Sequence, residues 1–214
     1  MRVPFNYLPM QFNDTSKIFE SWKKLIKTSD FTFGQKMIEF EKKFAKFIGT
    51  KHCISTNSGT DALILSLKSL NIGKTDEVIT VCNTFFATVG AIVACGAKPV
   101  FVDVSAETYL LNPDLIEKAI TPNTKAIMPV HVYGNVVEMN EIMDIASNYN
   151  LKVIEDPAEA LGAEYYNKKV GSIGDCGVFS FHGTKTLTMG EGGIFVTNDK
   201  VIFENVLTLS NHGR

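Results

Sequence analysis

One lysine is distinctive because hydroxyl, glycine and aromatic residues surround it. Lys185 lies in the segment GVFSFHGTKTLTMGEGG, which runs from Gly177 to Gly193 between two short apolar runs that are typical of β-strands. A lone lysine is usually a surface residue, but one flanked by apolar strands is partly removed from water. Such an amine is suited to Schiff-base chemistry with a carbonyl compound. Lys185 is therefore a candidate nucleophile.

Two carboxylates, Glu155 and Asp156, follow the apolar run LKVI. This places them at the end of a predicted inner strand, where open α/β sheets bind ligands. A carboxylate at this position would face a cleft. Alternatively, the acid caps a following helix, which Pro157 would begin at its first position. The residues alone leave both interpretations open.

A turn of small residues, Ser58-Gly59-Thr60, precedes another predicted helix. The first N–H groups of a helix lack partners within it, so such a turn can bind a phosphate. Simple capping by Asn57 or Ser58 is the alternative, and on this segment alone it is favoured. The dinucleotide fingerprint G-x-G-x-x-G is absent here, and the segment around Lys185 lacks the glycine spacing of a P-loop.

The elements that would position these residues alternate along the chain. Short β-branched runs and helical patterns follow one another from His52 onward, which predicts a mainly parallel sheet with helices on both faces. Beyond Asp156 the strands become shorter and are separated by Gly-rich turns, which predicts loops at the sheet edge that build a site. The predicted strands are 53–56, 77–81, 99–104, 125–132, 151–156, 177–181 and 193–197, and the predicted helices are 35–48, 113–120, 138–150, one starting at 61 and one ending at 95.

Composition excludes several classes of protein. The 214 residues carry a formal net charge of -2, so no overall basic field favours nucleic acid or an anionic membrane. Residues 1–51 hold ten Lys or Arg against five Asp or Glu, but the acids are interleaved, which favours an amphipathic helix with a solvated face. The longest apolar stretch is shorter than a membrane span requires, and no secretory signal is visible.

Cysteine and histidine spacing predicts neither a disulfide scaffold nor a metal site. The four cysteines and the four histidines are scattered singly through the sequence. Zinc sites use closely spaced ligand pairs, so we expect no metal. Unpaired cysteines fit a reducing cytoplasm.

Together, the Ser-Gly-Thr turn, the segment NTFFAT, the strand-end Glu-Asp pair and FSFHGTK followed by GEGG resemble a fold type I enzyme that depends on pyridoxal phosphate. More closely, they resemble the DegT/DnrJ/EryC1/StrS aminotransferases, which act on nucleotide-linked keto sugars. The resemblance extends from about Phe33 to Arg214. It implies the large domain of that fold, with residues 1–34 as an N-terminal arm and helix and residues 35–214 as the cofactor-binding domain. The family's smaller C-terminal domain is not apparent, so the chain looks truncated before it.

The resemblance also implies a role for each motif. Lys185 matches the lysine that holds pyridoxal phosphate through a Schiff base, and Asp156 matches the acid that pairs with the pyridinium nitrogen. The phosphate would be held by the turn that begins at Ser58, together with Ser180, and Phe85 would stack on the ring. The implied phosphate turn comprises Ser58, Gly59 and Thr60.

One position departs from many relatives, which have Gln or His where this chain has Glu159, near the cofactor's 3-hydroxyl. Glu159 and the segment FHGTKT most resemble the GDP-perosamine synthase branch, which transfers an amino group from L-glutamate to C4 of GDP-4-keto-6-deoxy-mannose, a step in polysaccharide biosynthesis. Relatives that aminate other nucleotide keto sugars at C3 or C4 are the alternative. A dehydrating branch carries His in place of the lysine, so Lys185 argues against that chemistry. His182 is a candidate substrate contact or, equally, a packed ring.

Partners and rival functions follow from the same resemblance. The family implies a homodimer with shared active sites. A truncated, non-catalytic module that binds pyridoxal phosphate or a nucleotide sugar is the first rival. An α/β structural protein without a cofactor is the second.

Overall fold

The structure, a computed structural model, describes residues 7–213. The helices in this range are α1 (Leu8–Gln11), α2 (Ser16–Thr28), α3 (Gln35–Ile48), α4 (Gly59–Ser69), α5 (Phe86–Ala94), α6 (Ile116–Ala119), α7 (Met139–Tyr149) and α8 (Lys200–Ser210). The strands are β1 (His52–Thr56), β2 (Glu77–Val81), β3 (Lys98–Val102), β4 (Thr124–Ile127), β5 (Lys152–Glu155), β6 (Glu164–Tyr165), β7 (Lys168–Lys169), β8 (Cys176–Ser180) and β9 (Gly193–Thr197). Two short 3-10 turns cover Pro113–Leu115 and Val132–Gly134.

Seven strands form one sheet in the order β1-β9-β8-β5-β4-β2-β3. The four pairings from β8 through β5, β4 and β2 to β3 are parallel, which confirms the predicted mainly parallel sheet. Strand β9 is antiparallel to both of its neighbours, β1 and β8. We expected the loops of the late strands at the sheet edge, but β8 and β9 lie inside the sheet. The loop that carries Lys185 therefore connects two interior strands.

Side chains that alternate along each strand build two cores. Val78 and Ile154 pack on the face that α4, α5 and α8 cover. Their strand neighbours Ile79 and Val153 pack on the opposite face with residues of α6 and α7. Because successive strand residues point to opposite faces, unbroken apolar runs require helices on both sides of the sheet. The structure confirms this prediction, and α3 covers β1, β8 and β9 with a third cluster built around Phe44.

The helix predictions differ in outcome. Helix α3 covers the predicted 35–48, and α7 lies within one residue of the predicted 138–150 at each end. The predicted helix 113–120 is instead a 3-10 turn followed by the single turn of α6. The β6–β7 hairpin was not predicted, because two-residue strands give no detectable alternation. Helix α8 was not predicted either. No helix in residues 7–213 is both long and apolar enough to cross a membrane.

Candidate active site

A cavity of about 500 Å³ gathers the site residues that the sequence predicted. All nine lie along its wall, although they come from segments up to 127 positions apart. They are Ser58, Gly59, Thr60, Phe85, Asp156, Glu159, Ser180, His182 and Lys185. Their convergence follows from the topology, because the ends of β1, β5 and β8 all open toward this cavity.

The Ser58 turn lines the cavity at the start of α4. Ser58 caps this helix, and its Oγ accepts a hydrogen bond from the Asp61 N–H at 3.1 Å, as the capping interpretation predicts. The turn lies close to the sheet: a Cβ on Gly59 would approach the Ser180 Cβ to 2.9 Å, and one on Gly193 would overlap the Ser58 carbonyl. Only glycine allows this approach, which brings the turn beside Ser180.

The carboxyl of Asp156 lies in another part of the wall and is nearly removed from solvent. Its Oδ2 accepts from the Thr88 hydroxyl at 2.9 Å, and its Oδ1 accepts from the Ala158 N–H at 3.2 Å. Burial raises the pKa of Asp156, and these two hydrogen bonds and the charge of Lys185 partly offset that rise. A cationic group placed against this carboxyl would therefore favour its ionised form.

Lys185 reaches into the cavity from the loop between β8 and β9. Its side chain retains only 15% of its accessible surface, as expected for a partly desolvated amine. The Nζ lies 3.4 Å from Glu159 Oε1 and 5.8 Å from the ring centre of Phe85. Glu159 Oε2 accepts the Tyr133 N–H at 3.1 Å, so this carboxylate links the lysine to the loop after β4.

His182 also lines the cavity. Its side chain is half exposed, so the packed-ring interpretation is wrong. Its Nδ1 lies 3.1 Å from the Thr184 hydroxyl, and its Nε2 lies 3.8 Å from Glu191. The ring is therefore free to face a molecule that enters the cavity.

Glu155 does not face the cavity. It is fully buried and accepts hydrogen bonds from the N–H groups of Gly171, Ile173 and Gly174, all at 2.7 Å. No helix follows Pro157, so the capping interpretation of the acidic pair is wrong. The strand alternates its side chains across the sheet, and only the second carboxylate, Asp156, reaches the cleft.

Thr88, Tyr133 and Glu191 are among the residues of the cavity wall that were not predicted as site residues. Thr88 binds Asp156 and could have been noticed in the quoted segment NTFFAT. Tyr133 is exposed and has a left-handed backbone (φ 60°), which no local sequence signal predicts. Glu191 lies in the Gly-rich turn after the lysine. Among residues 7–213, no group of three or more His, Cys, Asp or Glu side chains is placed to hold a metal ion.

Comparison with known families and proteins agrees with this geometry. The sequence model of the DegT/DnrJ/EryC1/StrS aminotransferase family matches residues 13–214. The chain belongs to this family. Curated relatives of this chain include an uncharacterized protein of Methanocaldococcus jannaschii (52% identity, 88% of this chain and 49% of the relative) and the GDP-perosamine synthase of Caulobacter vibrioides (48% identity, 84% and 48%). The dTDP-3-amino-3,4,6-trideoxy-alpha-D-glucose transaminase of Micromonospora megalomicea is 42% identical, over 91% of this chain and 52% of the relative.

Solved structures of aminotransferases share the fold. A DegT/DnrJ/EryC1/StrS aminotransferase from Brucella abortus has a TM-score of 0.94 at 32% identity, covering 99% of this chain and 59% of that one. NtdA from Bacillus subtilis with bound cofactor PMP has a TM-score of 0.88 at 35% identity, covering 98% and 48%. These matches confirm the predicted fold class, the α/β fold of the pyridoxal-phosphate aminotransferases. The chain spans about half the length of the curated relatives it matches.

The cavity of this DegT-family chain fits the family's cofactor, pyridoxal phosphate. Gly59 allows the Ser58 turn to lie against Ser180, so that the hydroxyl residues Ser58, Thr60 and Ser180 line the same cavity. Among residues 7–213 the buried Asp156 carboxyl has no cationic partner in direct contact, which a protonated ring nitrogen would supply. Lys185 provides the amine. The donor set thus matches the three parts of the cofactor: a phosphate, a ring nitrogen and an aldehyde.

Proposed function

We propose that this chain carries the cofactor site of an aminotransferase that moves an amino group from L-glutamate to a nucleotide-linked 4-keto-6-deoxy sugar. One observation carries the proposal: the amine of Lys185, the buried carboxyl of Asp156 and the glycine-lined Ser58 turn all lie on one cavity. The reaction balances as glutamate and a keto sugar giving 2-oxoglutarate and an amino sugar.

Each residue has a role in the proposal. Lys185 holds the cofactor and then moves the proton that leaves the amino-acid Cα. Asp156 keeps the ring nitrogen protonated, so that the bound cofactor supplies an electron sink for the negative charge that develops at Cα. Phe85 covers the ring, and Glu159 lies near the 3-hydroxyl. Ser58, Gly59, Thr60 and Ser180 hold the phosphate.

For the sugar, we favour GDP-4-keto-6-deoxy-mannose, with GDP-perosamine as the product. The similarity to the Caulobacter synthase and the presence of Glu159 support this choice. Similarity to a dTDP-3-amino sugar transaminase supports the alternative, another nucleotide sugar aminated at C3 or C4. His182 and Tyr133 line the cavity and are candidates to contact the sugar.

The proposal extends to assembly and location. We propose a homodimer that shares its active sites, and residues 35–214 as the cofactor-binding domain behind an N-terminal arm and helix. A cytoplasmic location fits the cysteines, because all four are free thiols.

The first test is an absorbance titration of the purified chain with pyridoxal phosphate, before and after addition of glutamate. We expect a visible band in the wild type that glutamate shifts. The band should be lost in Lys185→Ala and also in Lys185→Arg, which retains the positive charge but cannot form a Schiff base. A band that glutamate leaves unchanged would favour a non-catalytic binding module. No band at all would favour a protein without this cofactor.

If glutamate shifts the band, a comparison of nucleotide sugars that differ in nucleotide or keto position would identify the sugar substrate. The chain is loaded with glutamate's amino group and then mixed with GDP- or dTDP-linked 4-keto sugars and with 3-keto sugars. We expect return of the original spectrum fastest with GDP-4-keto-6-deoxy-mannose. A faster return with a dTDP sugar would overturn the choice of nucleotide while leaving the aminotransferase assignment intact.

A further inference from the structure

Glu155 and His131 form a fully buried pair directly behind the wall of the active site. The side chains of both residues have no exposed surface, and His131 Nε2 lies 3.2 Å from Glu155 Oε2. Neither residue lines the cavity, because Glu155 points away from the face that Asp156 presents. The proposed chemistry does not use either group directly, so their burial needs another explanation.

The surroundings of Glu155 require a group that only accepts hydrogen bonds. Its Oε1 accepts from the N–H groups of Ile173 and Gly174, and its Oε2 accepts from the Gly171 N–H, all at 2.7 Å. His131 Nε2 is the fourth neighbour. Four donors on two carboxylate oxygens leave no place for a donor on this side chain. An amide, which would place an NH₂ among these donors, does not fit.

This arrangement fixes the tautomer of His131. The Val137 N–H donates to His131 Nδ1 at 3.3 Å, so Nδ1 is the acceptor of the ring. In the neutral imidazole the proton must then be on Nε2, where it is donated to Glu155. The reverse tautomer would place an N–H against the Val137 N–H. Glu155 therefore determines which ring nitrogen of His131 can accept.

Through His131, the pair holds both ends of a loop that enters the site. The loop of residues 132–137 directly follows His131 and ends at Val137, whose N–H donates to the His131 ring. Within this loop Tyr133 and Gly134 both have left-handed backbone, and Tyr133 donates its N–H to Glu159. A loop with this backbone needs external attachments to keep one conformation.

The same segment holds the backbone of Asp156. The His131 N–H donates to the Asp156 carbonyl at 3.1 Å, and the Asp156 N–H donates to the Pro129 carbonyl at 2.9 Å. The backbone of His131 is thus bound to Asp156, while its ring is bound to Glu155 and to the loop that contacts Glu159. Two groups of the proposed cofactor site, Asp156 and Glu159, are both connected to this pair.

We propose that Glu155 and His131 are positioning residues, which hold Asp156 and the 132–137 loop in the geometry that binds the cofactor. The inference rests on the proposed function only for the identity of the bound group. The tautomer and the loop attachment are properties of the chain without cofactor. They can therefore be tested even if the proposed reaction fails.

The first experiment measures the ring nitrogens of His131 by ¹⁵N NMR in the cofactor-free chain. We expect the neutral tautomer with its proton on Nε2 in the wild type. A proton on Nδ1 would contradict the proposal, whatever the enzyme catalyses. Amide hydrogen exchange at Val137, measured on the same samples, reports the loop attachment.

Three variants separate the two contacts of the pair. His131→Asn places an oxygen near the position of Nδ1 and loses the donor to Glu155. His131→Gln places an amide near Nε2 and loses the acceptor for Val137. Glu155→Gln disturbs the ring indirectly. We expect Val137 exchange to accelerate in His131→Gln and Glu155→Gln, and much less in His131→Asn.

Affinity for pyridoxal phosphate distinguishes positioning from a merely structural role. Loss of outer partners around a bound group weakens affinity by roughly 10- to 100-fold in metal sites, and we expect at least the lower figure for His131→Gln. Should the three variants lower thermal stability but bind pyridoxal phosphate as tightly as the wild type, the pair is structural and the proposal is wrong. If Glu155→Gln does not fold, the two His131 variants still decide the question. Failure of the wild type to bind the cofactor would refute the proposed function instead.

Discussion

The Thr88 hydroxyl donates a 2.9 Å hydrogen bond to Asp156 Oδ2, across 68 positions of sequence. Thr88 is itself buried, and its Oγ1 lies 2.8 Å from that of Thr84, which forms a short chain of hydroxyls behind the carboxyl. In this buried, low-dielectric environment a hydrogen bond to a carboxylate contributes more to stability than one at the surface. The first turn of α5 thereby stabilises the acid at the end of β5.

Thr88→Val retains the shape of the side chain but removes this donor. We expect the free energy of unfolding to fall by about 1–3 kcal/mol, the range for a buried group that loses a hydrogen bond. The pKa of Asp156 should also rise further, because the Thr88 bond now lowers it. Chemical denaturation measures the first effect. Thr88→Ser is the matched control and should lie much closer to the wild type; equal losses in both variants would mean that packing of the methyl group, not the hydroxyl, is responsible.

Asp156→Asn tests the electrostatics of the same carboxyl. Burial raises the pKa of Asp156 in the folded chain, so above its unfolded value of about 3.9 the folded state binds the extra proton. Stability without cofactor should therefore decline as pH rises from that value through the raised folded pKa, and Asn should abolish this decline. Urea denaturation at a series of pH values gives the comparison. Parallel pH curves for the two proteins would contradict it.

The same variant should be a poor enzyme despite its stability. Removing one preorganised electrostatic group from an active site lowers kcat by roughly 10²–10³-fold, and we expect a loss of that size in the reaction with glutamate. Single-turnover absorbance changes measure it. A variant with wild-type rate would show that the ring nitrogen does not depend on Asp156.

Much of this site could be predicted from sequence because its residues lie in short, recognisable segments. The resemblance assigned the cofactor contact to Asp156, but the segment LKVIED alone does not show which acid faces the cavity, since the two point to opposite sides of the strand. The choice depends on the N–H groups at positions 171–174, which approach Glu155 only in the folded chain. His131 was missed for the same reason.

The fold, like the site, could be predicted only in part. Long periodic segments such as α3 were predicted because an apolar stripe at helical spacing is a strong local signal. The interior position of β9 was not, because antiparallel pairing with β1 joins residues about 140 positions apart. Tertiary pairing of this kind leaves no local trace in the strand itself.

Substitution of Glu159 should have only a small effect on the affinity for pyridoxal phosphate. Its ion pair with Lys185 joins side chains that are 40% and 15% exposed, and such partly exposed pairs contribute about 0.2–1 kcal/mol. We therefore expect Glu159→Gln to change the Kd for pyridoxal phosphate by less than about sixfold. Glu159→Ala also removes the acceptor for the Tyr133 N–H and should weaken binding more. Absorbance titration measures the Kd for pyridoxal phosphate in both variants. A larger increase in Glu159→Gln than in Glu159→Ala would contradict the prediction.

Gly59 and Gly183 form a matched pair for testing the contact between the Ser58 turn and Ser180. A Cβ on Gly59 would come within 2.9 Å of the Ser180 Cβ, whereas one on Gly183 would meet nothing within 4 Å. Overpacking destabilises proteins by about 1–3 kcal/mol, so we expect Gly59→Ala to lower stability by that amount and to weaken pyridoxal phosphate binding as the turn moves from Ser180. Gly183→Ala should leave stability unchanged or raise it by about 0.4–1 kcal/mol, because alanine restricts the unfolded chain. Thermal denaturation and cofactor titration of both variants provide the measurement. If Gly59→Ala bound the cofactor normally, the phosphate would have to be held elsewhere in the cavity.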